Sequence, residues 1–240
     1  MLRINVVTLF PDLFGEPFAT SILGRAGTAG LVQYNVVNLR DFTHDRHRTV
    51  DDTPYGGGAG MVMKPEPFFE ALEELNAGPP TVLLSARGKP FRHEDAVRFC
   101  VGEELTLLCG HYKDVDERVT TWPGLEEVSV SDAVLSGGEF AALCVVDAVV
   151  RLLPGALGDH DSAAGDSMYD GLLSAPSYTR PAEYRGMKVP DVLLSGDHAQ
   201  VAEWRRTQAE EMTKTRRPDL WARYEAEHRS EKAGQSGAEL

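Results

Sequence analysis

Three short segments of this 240-residue chain place small or polar residues directly after apolar, strand-like runs. They are Ser85-Ala86, Gly110-His111-Tyr112 and Ser136-Gly137-Gly138-Glu139. In open parallel sheets, ligands bind at the carboxyl ends of strands, where small residues let a ligand reach the backbone. Ser136 and Glu139 also match a helix capping box, with Ser as the N-cap. Together the three segments predict a pocket lined by backbone and suited to an adenosine-like ligand.

A glycine-rich run, residues 56–60, also invites a nucleotide interpretation. It is not a phosphate-binding Walker loop, because no Gly-Lys-Ser/Thr follows it. It is not the dinucleotide fingerprint either, because the glycine spacing differs and a polar segment precedes it instead of a strand. Backbone that must pass close to another group and a flexible turn both remain possible interpretations.

The cluster His44-Asp45-Arg46-His47-Arg48, followed by Asp51 and Asp52, contains groups that can bind metals. Its spacing matches no common metal site, and two arginines stand among the candidate ligands. A loop that faces phosphates is favoured over a metal site, with Arg40, Arg46 and Arg48 as contacts.

Two further charged residues stand out by their surroundings. Arg151 sits on the most apolar helical segment of the chain, so it needs a partner or a substrate, or it reaches solvent near the end of the helix. Asp166 lies in a segment rich in Gly, Ser and Ala, where composition alone favours a solvated spacer.

The pattern of apolar residues predicts strands that alternate with helices, and hence an α/β fold with a mostly parallel sheet. Predicted strands cover residues 3–10, 32–39, 81–85, 105–109 and 128–134. Predicted helices cover residues 13–26, 65–75, 94–100 and 140–153, while residues 40–60 have no clear period. We expect an α/β domain over residues 1–157 and a flexible linker over 158–171. A mostly helical domain is expected over 172–240, with helix from 198 to about 229 and a polar tail from 230.

Composition narrows the function classes. The formal net charge is −13, which counts against a general nucleic-acid binder, but a binding face is local. Residues 180–217 hold eight Lys and Arg against six Asp and Glu, so this segment is locally basic. No apolar run spans a membrane, no signal peptide is visible, and the three scattered cysteines suit a reducing compartment. We therefore expect a cytoplasmic protein without a membrane partner.

Longer motifs resemble the bacterial tRNA (guanine-N1)-methyltransferases and occur in that family's order. The matching segments are DFTHDRHRTVDD at 41–52, PYGGG at 54–58, LCG at 108–110, DERV at 116–119, VLSGGE at 134–139, YTRP at 178–181, VLLSG at 192–196 and RRPDL at 216–220. The resemblance implies a knotted, SPOUT-type α/β fold with a deep trefoil knot, followed by a small helical domain that binds tRNA. It also implies a homodimer whose active site is shared between chains. The implied reaction transfers a methyl group from S-adenosylmethionine to N1 of the guanine 3′ of the anticodon, with Mg²⁺ as a possible cofactor.

The resemblance also implies roles for individual residues. Arg151 and Asp166 match the family's catalytic pair, with Asp166 as the base that removes the N1 proton and Arg151 stabilising charge toward O6. The positions that match cofactor contacts are Leu84, Ser85, Gly110, Tyr112, Val130, Ser131, Asp132, Ala133, Val134, Leu135, Gly137 and Gly138. The candidate tRNA contacts are Arg40, Arg46, Arg48, Arg180, Arg205 and Arg216.

The chain departs from the expected pattern beside the cofactor. His111 replaces an arginine, Lys113 replaces an acidic residue and Ala133 replaces an aromatic one. These changes leave open two alternatives: a catalytically silent relative that binds tRNA, and a methyltransferase that acts on another RNA.

Overall fold

The computed structural model describes residues 1–157 and 167–236. The chain divides into two compact units, Met1–Gly158 and Asp159–Leu240. Among the described residues, no helix combines the length and the apolar character needed to cross a membrane.

The first unit is an α/β layer structure around a five-stranded parallel sheet. Its strands are β1 (Leu2–Thr8), β2 (Val32–Asn38), β5 (Thr81–Pro90), β6 (Glu104–Cys109) and β8 (Leu125–Ser129). They lie in the order β2-β1-β6-β5-β8. Three two-residue strands, β3 (Asp51–Asp52), β4 (Val62–Met63) and β7 (Asp114–Val115), form a second small sheet. The predicted α/β class with a parallel sheet is confirmed.

Helices cover both faces of the large sheet, as parallel strands require. The helices are α1 (Gly15–Ala19), α2 (Ser21–Thr28), α3 (Pro65–Leu75), α4 (His93–Cys100) and α5 (Glu139–Val150). Short 3-10 helices span Pro11–Phe14, Leu39–Phe42 and Glu117–Thr121. One core cluster joins the sheet to Phe99 and Val149, and the other joins it to Phe68 and Leu72. Leu2, Ile4 and Val6 of β1 belong to the first cluster and Val7 to the second, and Arg3 is the one exposed residue of the strand.

The second unit is mostly helical. Its helices are α6 (Asp191–Leu194), α7 (His198–Arg216) and α8 (Pro218–Ser236), and a hairpin pairs β9 (Glu183–Tyr184) with β10 (Met187–Lys188). Leu172, Thr213, Leu220 and Tyr224 are its buried residues. Residues 158–166 of the predicted linker lie outside the described residues.

Several predicted boundaries are wrong for identifiable reasons. The helix expected over 13–26 is divided, because Thr20 is extended and Ser21 has a φ of 51°. The strand expected over 128–134 ends at Ser129, where side chains take over the hydrogen bonding: Ser129 Oγ donates to Ser131 O at 2.9 Å. The helix end expected near residue 229 is also wrong, because α8 continues to Ser236. The trefoil knot stays a prediction.

Candidate functional site

The carboxyl ends of three neighbouring strands meet at one edge of the large sheet. Leu84 of β5 pairs with Cys109 of β6 on one side and with Val128 of β8 on the other. The loops that follow these strands surround a cavity of about 290 Å³. Its lining includes Leu84, Ser85, Gly110, Tyr112, Val130, Ser131, Ala133, Val134, Leu135, Gly137 and Gly138. The structure thus brings together the predicted cofactor residues except Asp132, which does not line the cavity, and their role stays a prediction.

A pair of glycines forms the tightest part of this cavity. The backbone N–H of Gly138 donates to Gly110 O at 2.8 Å, and Gly137 bridges to His111. A Cβ on Gly138 would lie 2.8 Å from Cys109 Cα and 3.0 Å from the nitrogen of Gly110. Because these neighbours are backbone atoms, they cannot move aside. Glycine is therefore required here to let the start of α5 approach the end of β6.

The capping box predicted at Ser136 and Glu139 is wrong. Helix α5 begins at Glu139 itself, with Gly138 as its N-cap and no capping bond from a side chain. The Glu139 carboxylate turns inward instead, where it is 3% exposed and its Oε1 accepts a 2.8 Å hydrogen bond from Thr8 Oγ1. A capping box needs Ser136 as the N-cap, three residues before Glu139. Because Gly138 is the N-cap and lies against β6, this spacing is lost.

A buried thiol and an imidazole lie beside the glycine pair. Burial raises the pKa of the Cys109 thiol well above its ordinary value, and the charge of Glu139 adds to the effect. His111 packs against the rings of Phe10 and Tyr112, at centroid distances of 5.0 and 5.1 Å. Its Nδ1 atom is buried without a hydrogen-bond partner among the described residues. Tyr112 itself has a φ of 59°, a costly conformation for a residue with a side chain.

A cluster of charges at the cavity was not predicted from the sequence. Arg87 lines the cavity and contacts three carboxylates: Glu117 at 3.0 Å, Glu127 at 3.5 Å and Asp114 at 3.7 Å. The hydrogen bond with Glu117 is the main cause of its raised pKa. The strand predicted to end at Ser85 continues, after an irregularity between Leu84 and Lys89, to Pro90. Gly88 is the sequence feature that could have indicated this continuation of β5, because a Cβ at residue 88 would come within 2.3 Å of Val128 N and only glycine fits there.

Arg151 is half-buried and lies at the far end of α5 from the cavity. The helix has twelve residues, so a rise of about 1.5 Å per residue puts Arg151 about 20 Å from Gly138. That distance is longer than an arginine side chain, and Arg151 does not line the cavity of its own chain. Asp166, its predicted catalytic partner, lies outside the described residues.

The loop after β2 holds its residues through local contacts. Arg40 donates to Arg48 O at 3.0 Å, and Arg48 forms an ion pair with Asp41 at 3.0 Å. Asp45 accepts hydrogen bonds from the backbone N–H groups of His47 and Thr49, while the Arg46 side chain is exposed. Within residues 1–157 and 167–236, no three His, Cys, Asp or Glu side chains are grouped to hold a metal ion.

The second unit contains a groove of about 760 Å³ that sequence reasoning missed. Arg180 and Arg205 line it, together with Arg206 and Tyr178, whose ring lies 6.4 Å from that of Trp204. The feature that could have indicated this groove is the segment before Arg180, whose residues 173–179 belong to no helix or strand. Arg216, the remaining tRNA candidate, is exposed at the end of α7 and does not line the groove.

Comparison with known proteins places this chain in a family. Residues 2–223 match the model described as tRNA (Guanine-1)-methyltransferase TrmD. Proteins named tRNA (guanine-N(1)-)-methyltransferase are similar over most of their length. The one from Dehalococcoides mccartyi strain CBDB1 is 50% identical over 92% of this chain and 90% of its own length. Those of Brevibacillus brevis and Gloeobacter violaceus are each 51% identical, over 91% of this chain and 91% and 98% of their own lengths. This chain therefore belongs to the tRNA (guanine-1)-methyltransferase family.

Proposed function

We propose that this protein transfers a methyl group from S-adenosylmethionine to N1 of the guanine 3′ of the anticodon in tRNA. The observation that carries the proposal is the glycine-lined cavity at the ends of β5, β6 and β8, in a chain that belongs to this methyltransferase family. The substrate named for the family, tRNA, makes the cytoplasm the proposed place of action.

The cavity fits the adenosine part of such a donor. Most of its lining is uncharged, and Gly137 and Gly138 line it without side chains. Backbone amides and carbonyls at the ends of the strands can hydrogen-bond the edge of an adenine ring, while Leu84 and Leu135 supply apolar contact. S-adenosylmethionine, when bound, supplies an electrophilic methyl group.

The chain must supply a base, because guanine N1 carries a proton at neutral pH and is then a poor nucleophile. We assign this role to Asp166, on the match of its segment to the family. Removing the proton leaves negative charge toward O6, which the guanidinium of Arg151 stabilises. Mg²⁺ dependence stays an expectation from the resemblance.

The length of α5 supports an active site shared between two chains. Arg151 lies about 20 Å from Gly138 along the helix, so it cannot act on a base held at the cavity of its own chain. In a homodimer, Arg151 of one chain can serve the cavity of its partner. We therefore propose a homodimer with two composite sites.

The arginines assigned to tRNA lie in both units. Arg40, Arg46 and Arg48 belong to the loop after β2, and Arg180, Arg205 and Arg216 belong to the second unit. Positive side chains bind phosphates without reading sequence, so they position the tRNA, and the splayed guanine is read in the site. The acidic remainder of the chain disfavours non-specific RNA binding.

The test is methyl transfer to tRNA transcripts that carry G or A at the target position, with Asp166→Asn beside the wild type. We expect transfer to the G transcript alone and a rate at least on the order of 100-fold lower for Asp166→Asn, as is typical when a general base is lost. Asp161→Asn changes the same group five positions earlier and serves as the matched control, with near-normal activity.

Equal labelling of both transcripts would reject the guanine assignment. An undiminished rate for Asp166→Asn would reject that residue as the base. No labelling of any tRNA by the wild type, with donor binding intact, would favour the silent relative.

A further inference from the structure

Lys113 carries a cation to the rim of the cavity. It lines the cavity, its side chain is exposed, and its backbone N–H donates to Met61 O at 3.0 Å. The next two residues form β7, which pairs in parallel with β4. These backbone contacts fix where the side chain of Lys113 leaves the main chain.

The glycine-rich loop packs against this side chain. A Cβ on Gly60 would lie 3.4 Å from Lys113 Cβ, and a Cβ on Gly58 would lie 3.5 Å from Lys113 Nζ. Both glycines have positive φ, at 93° and 115°. The loop therefore follows the lysine from its stem to its ammonium group, which gives the glycine motif a role that no phosphate-binding pattern explained.

The charges around the cavity leave Lys113 available to a ligand. Arg87, the other cation of the lining, is engaged by Asp114, Glu117 and Glu127. No carboxylate of the described part of the chain forms an ion pair with Lys113. The proposed donor carries a sulfonium, an ammonium and a carboxylate group beside its adenosine part, and a cation at the rim can form a charge-assisted hydrogen bond with the carboxylate.

We propose that Lys113 Nζ binds the carboxylate of the methionyl part of the methyl donor and thereby selects donors that carry it. The proposal rests on the proposed function, because it takes S-adenosylmethionine as the donor. The family pattern places an acidic residue at this position, so the contact distinguishes this chain from members with that pattern.

The test measures binding, by calorimetric titration of the full-length protein with two ligands. One is S-adenosylhomocysteine, and the other is its decarboxylated analogue, 5′-deoxy-5′-(3-aminopropylthio)adenosine. We expect the wild type to prefer S-adenosylhomocysteine by about five-fold, the upper range for an exposed ion pair. Lys113→Met removes this preference by weakening S-adenosylhomocysteine alone, and Lys113→Arg retains it. Lys188→Met, an exposed lysine of the second unit, is the matched control and leaves both affinities unchanged.

Equal affinities of Lys113→Met and the wild type for S-adenosylhomocysteine would overturn the assignment while leaving the proposed function intact. If Lys113→Met leaves the affinity for S-adenosylhomocysteine unchanged but raises the KM for tRNA, Lys113 would instead bind a tRNA phosphate, which overturns the assignment. A wild type that binds neither ligand would overturn the proposed function, and the assignment with it.

Discussion

At the scale of single residues, the site depends on how closely backbone segments approach. Gly138 lies against the backbone of Cys109 and Gly110, and Tyr112 adopts a left-handed φ at the rim. The sequence could predict the glycines, because two of them before a helix are more than a helix start requires. It could not predict Arg87, whose importance comes from three carboxylates that the fold brings to it from distant positions.

Replacing Gly138 by alanine is expected to destabilise the protein by about 1–3 kcal/mol, because the new Cβ would overlap backbone atoms that belong to a strand end. The same change should weaken binding of S-adenosylhomocysteine, since α5 must shift away from the cavity. Urea unfolding and calorimetry measure the two effects.

Gly15→Ala is the matched control for this prediction. Gly15 begins α1, has helical φ and ψ, and has open space around its Cβ position. Alanine there should be neutral or stabilising by up to about 1 kcal/mol. Equal stability of the two variants would contradict the role of close approach at Gly138.

At the scale of elements, the start of α5 is held to the sheet by a buried polar contact. Glu139 is the first residue of the helix, and Thr8 is the last residue of β1. The Thr8 hydroxyl donates to the carboxylate and accepts from the backbone N–H of Phe10 at 2.9 Å. One hydroxyl therefore joins a strand end, the turn after it and the helix that borders the cavity.

Thr8→Val keeps the shape of the side chain but removes this hydroxyl. We expect the free energy of unfolding to fall by about 1–3 kcal/mol, because a buried carboxylate and a backbone N–H each lose a partner. Thr28→Val, at the exposed end of α2, should change the stability by no more than about 0.5 kcal/mol. Denaturant midpoints of the two variants compare them directly, and matching midpoints would argue against the Thr8 contact.

Elements with a strong period and clear ends are the ones that the sequence predicts. Helix α3 has the predicted bounds, since Pro65 starts it and Asn76 ends it with a left-handed φ of 50°. The sequence wrongly predicts strand for the segment after β8, because alternating Val and Ser residues fit a strand as well as a loop. Its hydrogen bonds depend on a turn that periodicity does not reveal; for example, the backbone N–H of Ala133 donates to Ser131 Oγ at 3.2 Å.

At the scale of the whole molecule, the two ends of α5 lie about 20 Å apart, and only its start borders the cavity. The start of the helix borders the cavity, and its end carries Arg151. The sequence marks both ends as functional, but their separation follows from the unbroken helix between them. If both ends act on one substrate, as we propose, the active site combines residues of two chains.

Mixing two defective variants tests this assembly. Arg151→Ala removes the guanidinium, and Ser85→Trp fills the cavity from the irregular part of β5 that follows Leu84. Each should be inactive alone, but in a heterodimer one site combines an intact cavity with an intact Arg151. Random pairing after co-refolding should restore about a quarter of the wild-type activity.

Sedimentation and cooperative unfolding of each single variant serve as controls for intact dimers. Activity that stays at the level of the separate variants, in a mixture proven to contain heterodimers, would place Arg151 and the cavity in the same chain's site.

The buried Cys109 thiol offers a way to measure how often the packing at Gly137 and Gly138 opens. Its thiol is fully buried under the start of α5 and its pKa is raised, whereas Cys144 is exposed. The thiolate is the form that attacks thiol reagents, so we expect Cys109 to react only when local opening exposes it. Its rate of modification therefore measures how often the contact between the start of α5 and the end of β6 opens, and we expect a ligand that bridges the helix and the strand to slow it.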